Sequence, residues 1–273
     1  MLNDDRFADR APAQVYATLL DEGTCLCSIP TRYRILREHR QVRERRHQRR
    51  HPQYQAPELL ATAPNQLWSW DITKLKGPAT WTYFSLYVIL EVCSRYVVGW
   101  MGAYRESAAL AERLIESVCG REGIEQGQRT IHADRGSSMT SKTVALRLAD
   151  LGVAKSHSRP HVSNDNPYSE SQFKTLKYKP GFPERFGSLQ DARRVLIDCF
   201  EWYNTRHHHS GLGWLTPSDV HVGFAATRQA ERAVVLRNAF EARPERFVRG
   251  VPKPPALPAE VWINKPKADD GST

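Results

Sequence analysis

Three runs rich in aromatic and β-branched residues follow one another between residues 67 and 103: LWSWDITKL, WTYFSLYVILEV and SRYVVGWMGA. Turn signals separate them, so they predict three sequential strands in an antiparallel meander. Beyond them the period changes. Helical spacing covers 107–119, a short strand 129–133, a helix 141–151 and an extended stretch 153–158. A meander extended by such crossovers is a mixed sheet flanked by helices, an α/β fold. Further helices are predicted over 167–177 and 189–205. The last segment, with Pro244, Pro252, Pro254, Pro255, Pro258 and Pro266, reads as an irregular proline-rich tail.

Ahead of the sheet, residues 12–22 and 28–40 show helical spacing with a glycine-containing turn between them, and Ser28 with Pro30 supplies a cap and an early helical position. Two short helices of this kind predict a helix-turn-helix-like region. Its second helix carries Arg32, Arg34 and Arg37, and the basic block continues through Arg45, Arg46, Arg49 and Arg50. Residues 31–51 hold nine Arg, two Glu and no Lys, which is +7 of the chain's net +9. Charge concentrated in this way favours a polyanion, because each phosphate that is neutralised releases a condensed counterion. A nucleic acid is the expected partner, with an acidic membrane surface behind it, and for the second helix a basic solvated face making no groove contacts is the alternative to a recognition helix in a DNA groove. The expected organisation is a helical basic DNA-binding region at 1–51, a linker at 52–64, a mixed-sheet core at 65–222 and a helical, then proline-rich, tail at 223–273.

Several classes are excluded. The most apolar stretch, Phe84 to Leu90, is about a third of the roughly 20 residues a membrane-spanning helix needs, so no membrane role is expected. The start, Met-Leu-Asn-Asp-Asp, has no basic segment followed by an apolar run, and a cytoplasmic, DNA-associated location follows. Five scattered cysteines fit neither a disulfide framework nor a paired zinc site and are read as reduced thiols.

The chemistry rests on three acids. Asp71 lies in the first strand between Trp70 and Ile72, where a charge is costly unless a site uses it. Asp134 ends a later strand, immediately before Arg135 and Gly136, and strand ends are where open sheets present ligand-facing groups. Glu170 lies in a predicted helix, 35 residues separating it from Asp134. Three converging carboxylates resist ionisation unless a cation neutralises them, and hard divalent ions suit an all-oxygen site. Such a site points to phosphoryl transfer.

The segments WSWDITKLKGP, HADRGSSMTS and NDNPYSESQFKTLKYKP resemble the three signature blocks of the DDE integrase core of IS3-family transposases, and YNTRHHHSGLGWLTP resembles the same family's closing block. The resemblance covers about residues 60–220. It implies a ribonuclease-H-like core with a five-stranded mixed sheet, in which Asp71, Asp134 and Glu170 are catalytic and bind two Mg²⁺ ions, with Mn²⁺ able to substitute. It also implies a second-frame transposase product that cleaves DNA at the element end and joins the freed 3′-hydroxyl to a second strand. Element ends and target DNA are then the partners, a homo-oligomer forms on DNA, and no small-molecule substrate is involved. Ala133 stands where the family often has Ser, a departure that touches no ligand. An inactive or truncated DNA-binding remnant, or a related nuclease, is the competing reading, and a transcriptional regulator built on the amino-terminal helices is a third.

Lys174 and Lys177 fall at i+4 and i+7 from Glu170, one helix face, and are expected to hold DNA phosphates. Arg135 and Ser137 either orient substrate or stabilise the turn. Asp165 and Asn166 are expected to cap the Glu170 helix. Trp68, Trp70, Trp81 and Trp100 are expected to pack in the core or its rim rather than stack on bases. The adjacent His207, His208 and His209 diverge too far to read as metal ligands.

Overall fold

The computed structural model describes residues 4–42, 55–123, 127, 129–136, 138–160, 162 and 165–266. The chain forms two compact units, Met1–Gln53 and Tyr54–Thr273. In the first, α1 (Pro12–Asp21) begins on a proline, whose missing N–H costs nothing in a first turn, and α2 (Ile29–Glu38) is capped by Ser28, whose Oγ accepts from the Thr31 amide at 3.4 Å. Phe7, Val15 and Leu19 form a small apolar cluster there.

The second unit is built on a five-stranded sheet of β2 (Leu67–Lys76), β3 (Tyr83–Glu91), β4 (Val97–Ala103), β5 (Arg129–Ala133) and β6 (Val153–His157). Their spatial order is β4-β3-β2-β5-β6. The first three pair antiparallel, and β5 and β6 extend the sheet in parallel beside β2. Crossover helices α3 (Ala108–Arg121) and α4 (Lys142–Asp150) link β4 to β5 and β5 to β6. This is a mixed sheet flanked by helices, as the strand and helix periods predicted, with the five strands that the family resemblance implied.

Helices cover both faces, which is why β3 is buried from Phe84 to Glu91 instead of alternating. On one face Trp68, Trp70, Tyr87 and Ile89 pack with Leu114, Ile115 and Val118 of α3 and Val144 and Leu148 of α4. Gly99 permits the close approach of α3, since a Cβ there would stand 2.2 Å from Val118 Cγ2. On the other face Leu75, Leu86, Val88 and Leu90 pack with Phe173 and Leu176 of α5 (Pro167–Lys177) and with Leu196, Phe200 and Tyr203 of α6 (Leu189–Thr205).

After α6 come the short α7 (Pro217–His221) and α8 (Ala225–Ala242), which has no buried residue. Within the tail, β7 (Val261–Ile263) pairs antiparallel with β1 (Leu59–Ala61), a stretch read from the sequence as linker. Three-residue strands carry too little periodicity to be read in advance. No helix among the described residues is long and apolar enough to cross a membrane.

Candidate active site

The parallel pairing of β2 with β5 sets Trp70 opposite Ala133, so the next residue on each strand is a carboxylate, Asp71 and Asp134. Both line an open cleft of about 800 Å³ whose walls include Ile72, Glu106, Arg135, Ser158 and Arg159. Ser158, just past β6, donates its hydroxyl to Asp134 Oδ1 at 2.6 Å, and the Ile72 amide donates to Asp71 Oδ1 at 2.7 Å. Burial, followed by the charge of Asp134 and a smaller contribution from Glu170, pushes the Asp71 carboxyl up to about 7. Glu170 on α5 therefore shares this electrostatic neighbourhood, although it is not one of the cleft-lining residues.

Lys177, on the same helix, donates from Nζ to Thr73 Oγ1 at 2.6 Å, two residues along β2 from Asp71. Loss of hydration at the ammonium pulls its pKa down, and the Asp71 charge opposes this. Lys174 is exposed. Arg135 is exposed on the cleft wall and donates from Nε to the Ser158 carbonyl at 2.9 Å, which ties it to the turn.

A buried polar cluster joins the Asp71 strand to the Glu170 helix. The Ser69 hydroxyl donates to Asn166 Oδ1 and accepts from Ser169, while Asn166 Nδ2 reaches the Trp70 carbonyl at 3.4 Å. All three side chains lie in the protein interior. This corrects the expected capping. Asn166 occupies the N-cap position of α5 with no side-chain cap bond, because its amide is used across to β2. Asp165 does not cap either: its fully buried carboxylate pairs with Arg159 through Nε at 2.9 Å and Nη2 at 3.0 Å and accepts from the Arg159 amide at 2.9 Å. These contacts hold Asp165 below the usual carboxylate range.

His132, on β5 two residues before Asp134, is fully buried between the Asp165 carbonyl (Nε2, 2.9 Å) and Ser156 Oγ (Nδ1, 3.2 Å). Burial lowers its pKa, so it stands as a neutral imidazole that donates from Nε2 and accepts at Nδ1. Sequence reasoning missed Ser69, Ser158, Ser169 and His132. A serine inside a strand and a histidine two residues before a candidate acid were the available signals, and both types are common in cores.

In the amino-terminal unit Arg34 and Arg37 are exposed, and Arg34 lies 3.6 Å from Glu38. Arg32 must be withdrawn from the DNA-contact set. It is 2% exposed, donates from Nε to the Cys27 carbonyl and lies over the Tyr16 ring, so its guanidinium supports the helix pair instead of facing solvent. Arg45, Arg46, Arg49, Arg50 and Ser137 lie outside the described residues.

Trp68 and Trp70 are core residues, and Trp100 stacks on Phe200 at 5.2 Å. Trp81 is not packed: it is 84% exposed at the tip of the β2–β3 hairpin, where the left-handed backbone (φ 67°) carries the side chain out of the sheet. His207 stacks on Tyr203, and His209 Nδ1 accepts from the Gly211 amide at 3.1 Å.

Among the described residues no three His, Cys, Asp or Glu side chains are gathered closely enough to hold a metal ion, so Glu170 is not drawn together with Asp71 and Asp134 into one ligand set. The donor set nevertheless fits Mg²⁺. That ion keeps several waters and takes only one or two carboxylates plus substrate phosphate oxygens, and Asp71 and Asp134 stand together on the cleft wall, the charge of Asp134 helping to raise the Asp71 carboxyl.

Residues 61–163 and 151–217 match two families, each described as an Integrase core domain. The transposase for insertion sequence element IS904 of Lactococcus lactis subsp. lactis is 33% identical over 160 residues, which is 58% of this chain and 62% of that protein. The transposase InsF for insertion sequence IS3A of Escherichia coli K12 is 31% identical over 161 residues, 59% of this chain and 55% of that one. The chain thus spans about three fifths of the length of these curated relatives. Among solved structures, a simian T-cell lymphotropic virus intasome in complex with PP2A regulatory subunit B56 gamma aligns with a TM-score of 0.49 at 19% identity, covering 77% of this chain and 74% of that one. Through residues 61–217 the chain belongs to the integrase core domain family, and over that stretch it is similar to insertion-sequence transposases, those of IS3 among them.

Proposed function

We propose that this chain is a transposase that cleaves DNA at an element end and joins the freed 3′-hydroxyl to a second strand by in-line phosphoryl transfer. The observation that carries the reading is the Asp71 carboxyl, which lines an open cleft beside Asp134 and is raised to about 7 by burial first, then by the charge of Asp134 and, less, of Glu170. A site built only to stabilise a fold would pair such acids with bases, as it does at Asp165. Asp71, Asp134 and Glu170 would hold Mg²⁺, two ions by the family resemblance, and bound there the cation supplies charge neutralisation and polarisation of the scissile phosphate.

The chain's own groups orient the reaction. Ser158 and the Ile72 amide fix one oxygen of each aspartate and so aim the other at the cleft. The Ser69–Asn166–Ser169 cluster fixes α5, and with it Glu170, against β2. Lys174, Lys177 and Arg135 supply positive charge beside the acids for the DNA backbone, and Arg34, Arg37 and the 45–50 arginines add sequence-independent affinity in the amino-terminal region. The DNA ends and target are the partners, a multimer assembles on them, and DNA association places the protein with the nucleoid.

A strand-joining assay with labelled element ends tests this. Glu170→Gln is expected to abolish joined product, a drop of about 10³-fold or more, while DNA affinity stays within a factor of two or so, since the substitution leaves the basic groups untouched. Joined product persisting in the variant would overturn the assignment.

A further inference from the structure

Lys177 also lines a second groove of about 360 Å³, and none of that groove's other residues enters the reaction scheme. Its floor is apolar, with Leu75, half-buried Phe182 and Phe186, the last two rings edge-on at 5.6 Å. Lys74 and Lys177 line it without an acidic ion-pair partner among the described residues, whereas Lys76 is matched by Glu184 at 2.8 Å. Tyr178, directly after α5, stands on the rim at 85% exposure. Lys74 is three residues past Asp71, about 10 Å along the strand, so the groove begins one or two nucleotides' reach from the candidate acids.

The hairpin that leaves the groove at Lys76 is braced. The Gly77 amide donates to the Thr82 carbonyl at 2.8 Å, Thr82 Oγ1 to the Ala79 carbonyl at 2.6 Å, and Arg185 Nη1 to the Gly77 and Ala79 carbonyls at 3.2 and 3.1 Å. On this pedestal Trp81 holds a backbone conformation that bulky residues rarely adopt, with its ring in solvent. An exposed tryptophan on a rigid tip, an exposed tyrosine and two lysines without an acidic ion-pair partner among the described residues, over an apolar floor, make a surface that offers ring faces and phosphate partners together. Duplex DNA hides its base faces in the stack, and an unpaired strand presents them.

We propose that this groove and hairpin tip bind an unpaired segment of the DNA, its bases stacked on Tyr178 and Trp81 and its phosphates on Lys74 and Lys177. The proposal rests on the transposase reading for the presence of DNA but not on catalysis. It adds to the phosphate role of Lys177 a site selective for unstacked bases.

Fluorescence anisotropy with the full chain, at one fixed salt concentration, compares a blunt duplex with the same duplex carrying a short unpaired overhang. The wild type is expected to bind the overhang substrate about tenfold more tightly. Tyr178→Ala and Trp81→Asn, the latter retaining a residue that tolerates the left-handed backbone, are each expected to remove most of that preference with blunt-duplex affinity unchanged. Tyr178→Phe is expected to keep it, because the ring face remains. Equal affinity for the two substrates in the wild type, or an intact preference in the Tyr178→Ala/Trp81→Asn double variant, would overturn the proposal. A change in oligomeric state on Trp81→Asn with the preference intact would assign the tip to a protein contact and would also overturn it. Strand joining, measured on the same preparations, separates the two readings: joining without overhang preference defeats this proposal alone, and preference without joining defeats the transposase reading alone.

Discussion

A carboxyl raised to about 7 changes how stability depends on pH. Asp71 binds a proton more tightly folded than unfolded, so its stabilising contribution is complete below about pH 4, shrinks as pH rises, and is gone above about 7. At pH 8 without a divalent cation the folded chain then holds a desolvated, repelled carboxylate, a loss on the order of a few kcal/mol relative to acid pH. Asp71→Asn removes that charge at constant shape. Thermal melting at pH 8 in chelator is expected to show the variant more stable than the wild type by about 1–3 kcal/mol, the gap closing near pH 4 and closing again when Mg²⁺ is added to the wild type at pH 8. His132 titrates oppositely, since its lowered pKa makes protonation at acid pH unfavourable to the fold, but it is common to both proteins and cancels in the comparison. A wild type that outlasts Asp71→Asn at pH 8 in chelator would show that the carboxylate is compensated by groups other than a cation. At this scale the sequence was only partly legible. Asp71 and Asp134 were readable because a charge inside an apolar strand and one at a strand end are each unusual, whereas Arg32 looked like its exposed neighbours. Helical spacing fixes which face a residue is on, but not that Tyr16 and the Cys27 carbonyl stand there to receive it.

Between elements, the contact of consequence is α5 against β2, since it sets Glu170 relative to Asp71. Removing Asn166 leaves the Ser69 hydroxyl and the Trp70 carbonyl in the interior with one partner fewer each, and an unpaired buried polar group costs about 1–3 kcal/mol. Asn166→Ala is therefore expected to lower stability by that amount and to lower joining by about 10- to 100-fold with DNA affinity kept, because a small displacement of Glu170 is enough to misplace a ligand. Joining at wild-type rate in a folded Asn166→Ala protein would assign the cluster to stability alone. The hairpin between β2 and β3 behaves oppositely. A non-glycine residue in the left-handed region costs about 1 kcal/mol, so Trp81→Gly is expected to raise the melting temperature by a few degrees, readable by calorimetry. Strands β2 to β6 and helices α3 to α6 were legible because each runs long enough to display its period. The position of Asn166 was legible too, at the foot of a helix, but its partner was not. A cap and a cross-strand hydrogen bond draw on the same residue types, and only the packing of β2 under α5 decides between them.

At the level of the whole core unit, the tail is part of the framework that holds the candidate site. Strand β7 pairs with β1, Val261 and Ile263 are buried with Leu67 and Val92, and the Tyr168 hydroxyl on α5 donates to the Trp262 carbonyl at 2.7 Å. Asn264 Nδ2 donates to the Pro57 carbonyl at 3.1 Å and to Asp165 Oδ1 at 3.0 Å. The segment thus clasps the residues just ahead of β1 to the start of the Glu170 helix, with Asp165 carrying the contact on to Arg159 in the cleft wall and, through its carbonyl, to His132 beside Asp134. Burying two branched side chains contributes about 1.5–3 kcal/mol each, a large share of the 5–15 kcal/mol by which a domain of this size is held folded. Deleting residues 259–273 is expected to destabilise the core by about 3–6 kcal/mol, and hydrogen exchange is expected to show lost protection at 59–61 and in the first turn of α5, with protection in β3 lowered only by the global change. Ile263→Ala is expected to give the same exchange pattern at about 2–4 kcal/mol, which separates loss of the clasp from any other consequence of truncation. Because the clasp ends on the helix that carries Glu170, joining should fall further than DNA binding in both variants. Protection at the start of α5 that survives the deletion would mean that Asn166 and the apolar face of the helix suffice to hold Glu170 in place, and that the tail stabilises the sheet edge without reaching the site.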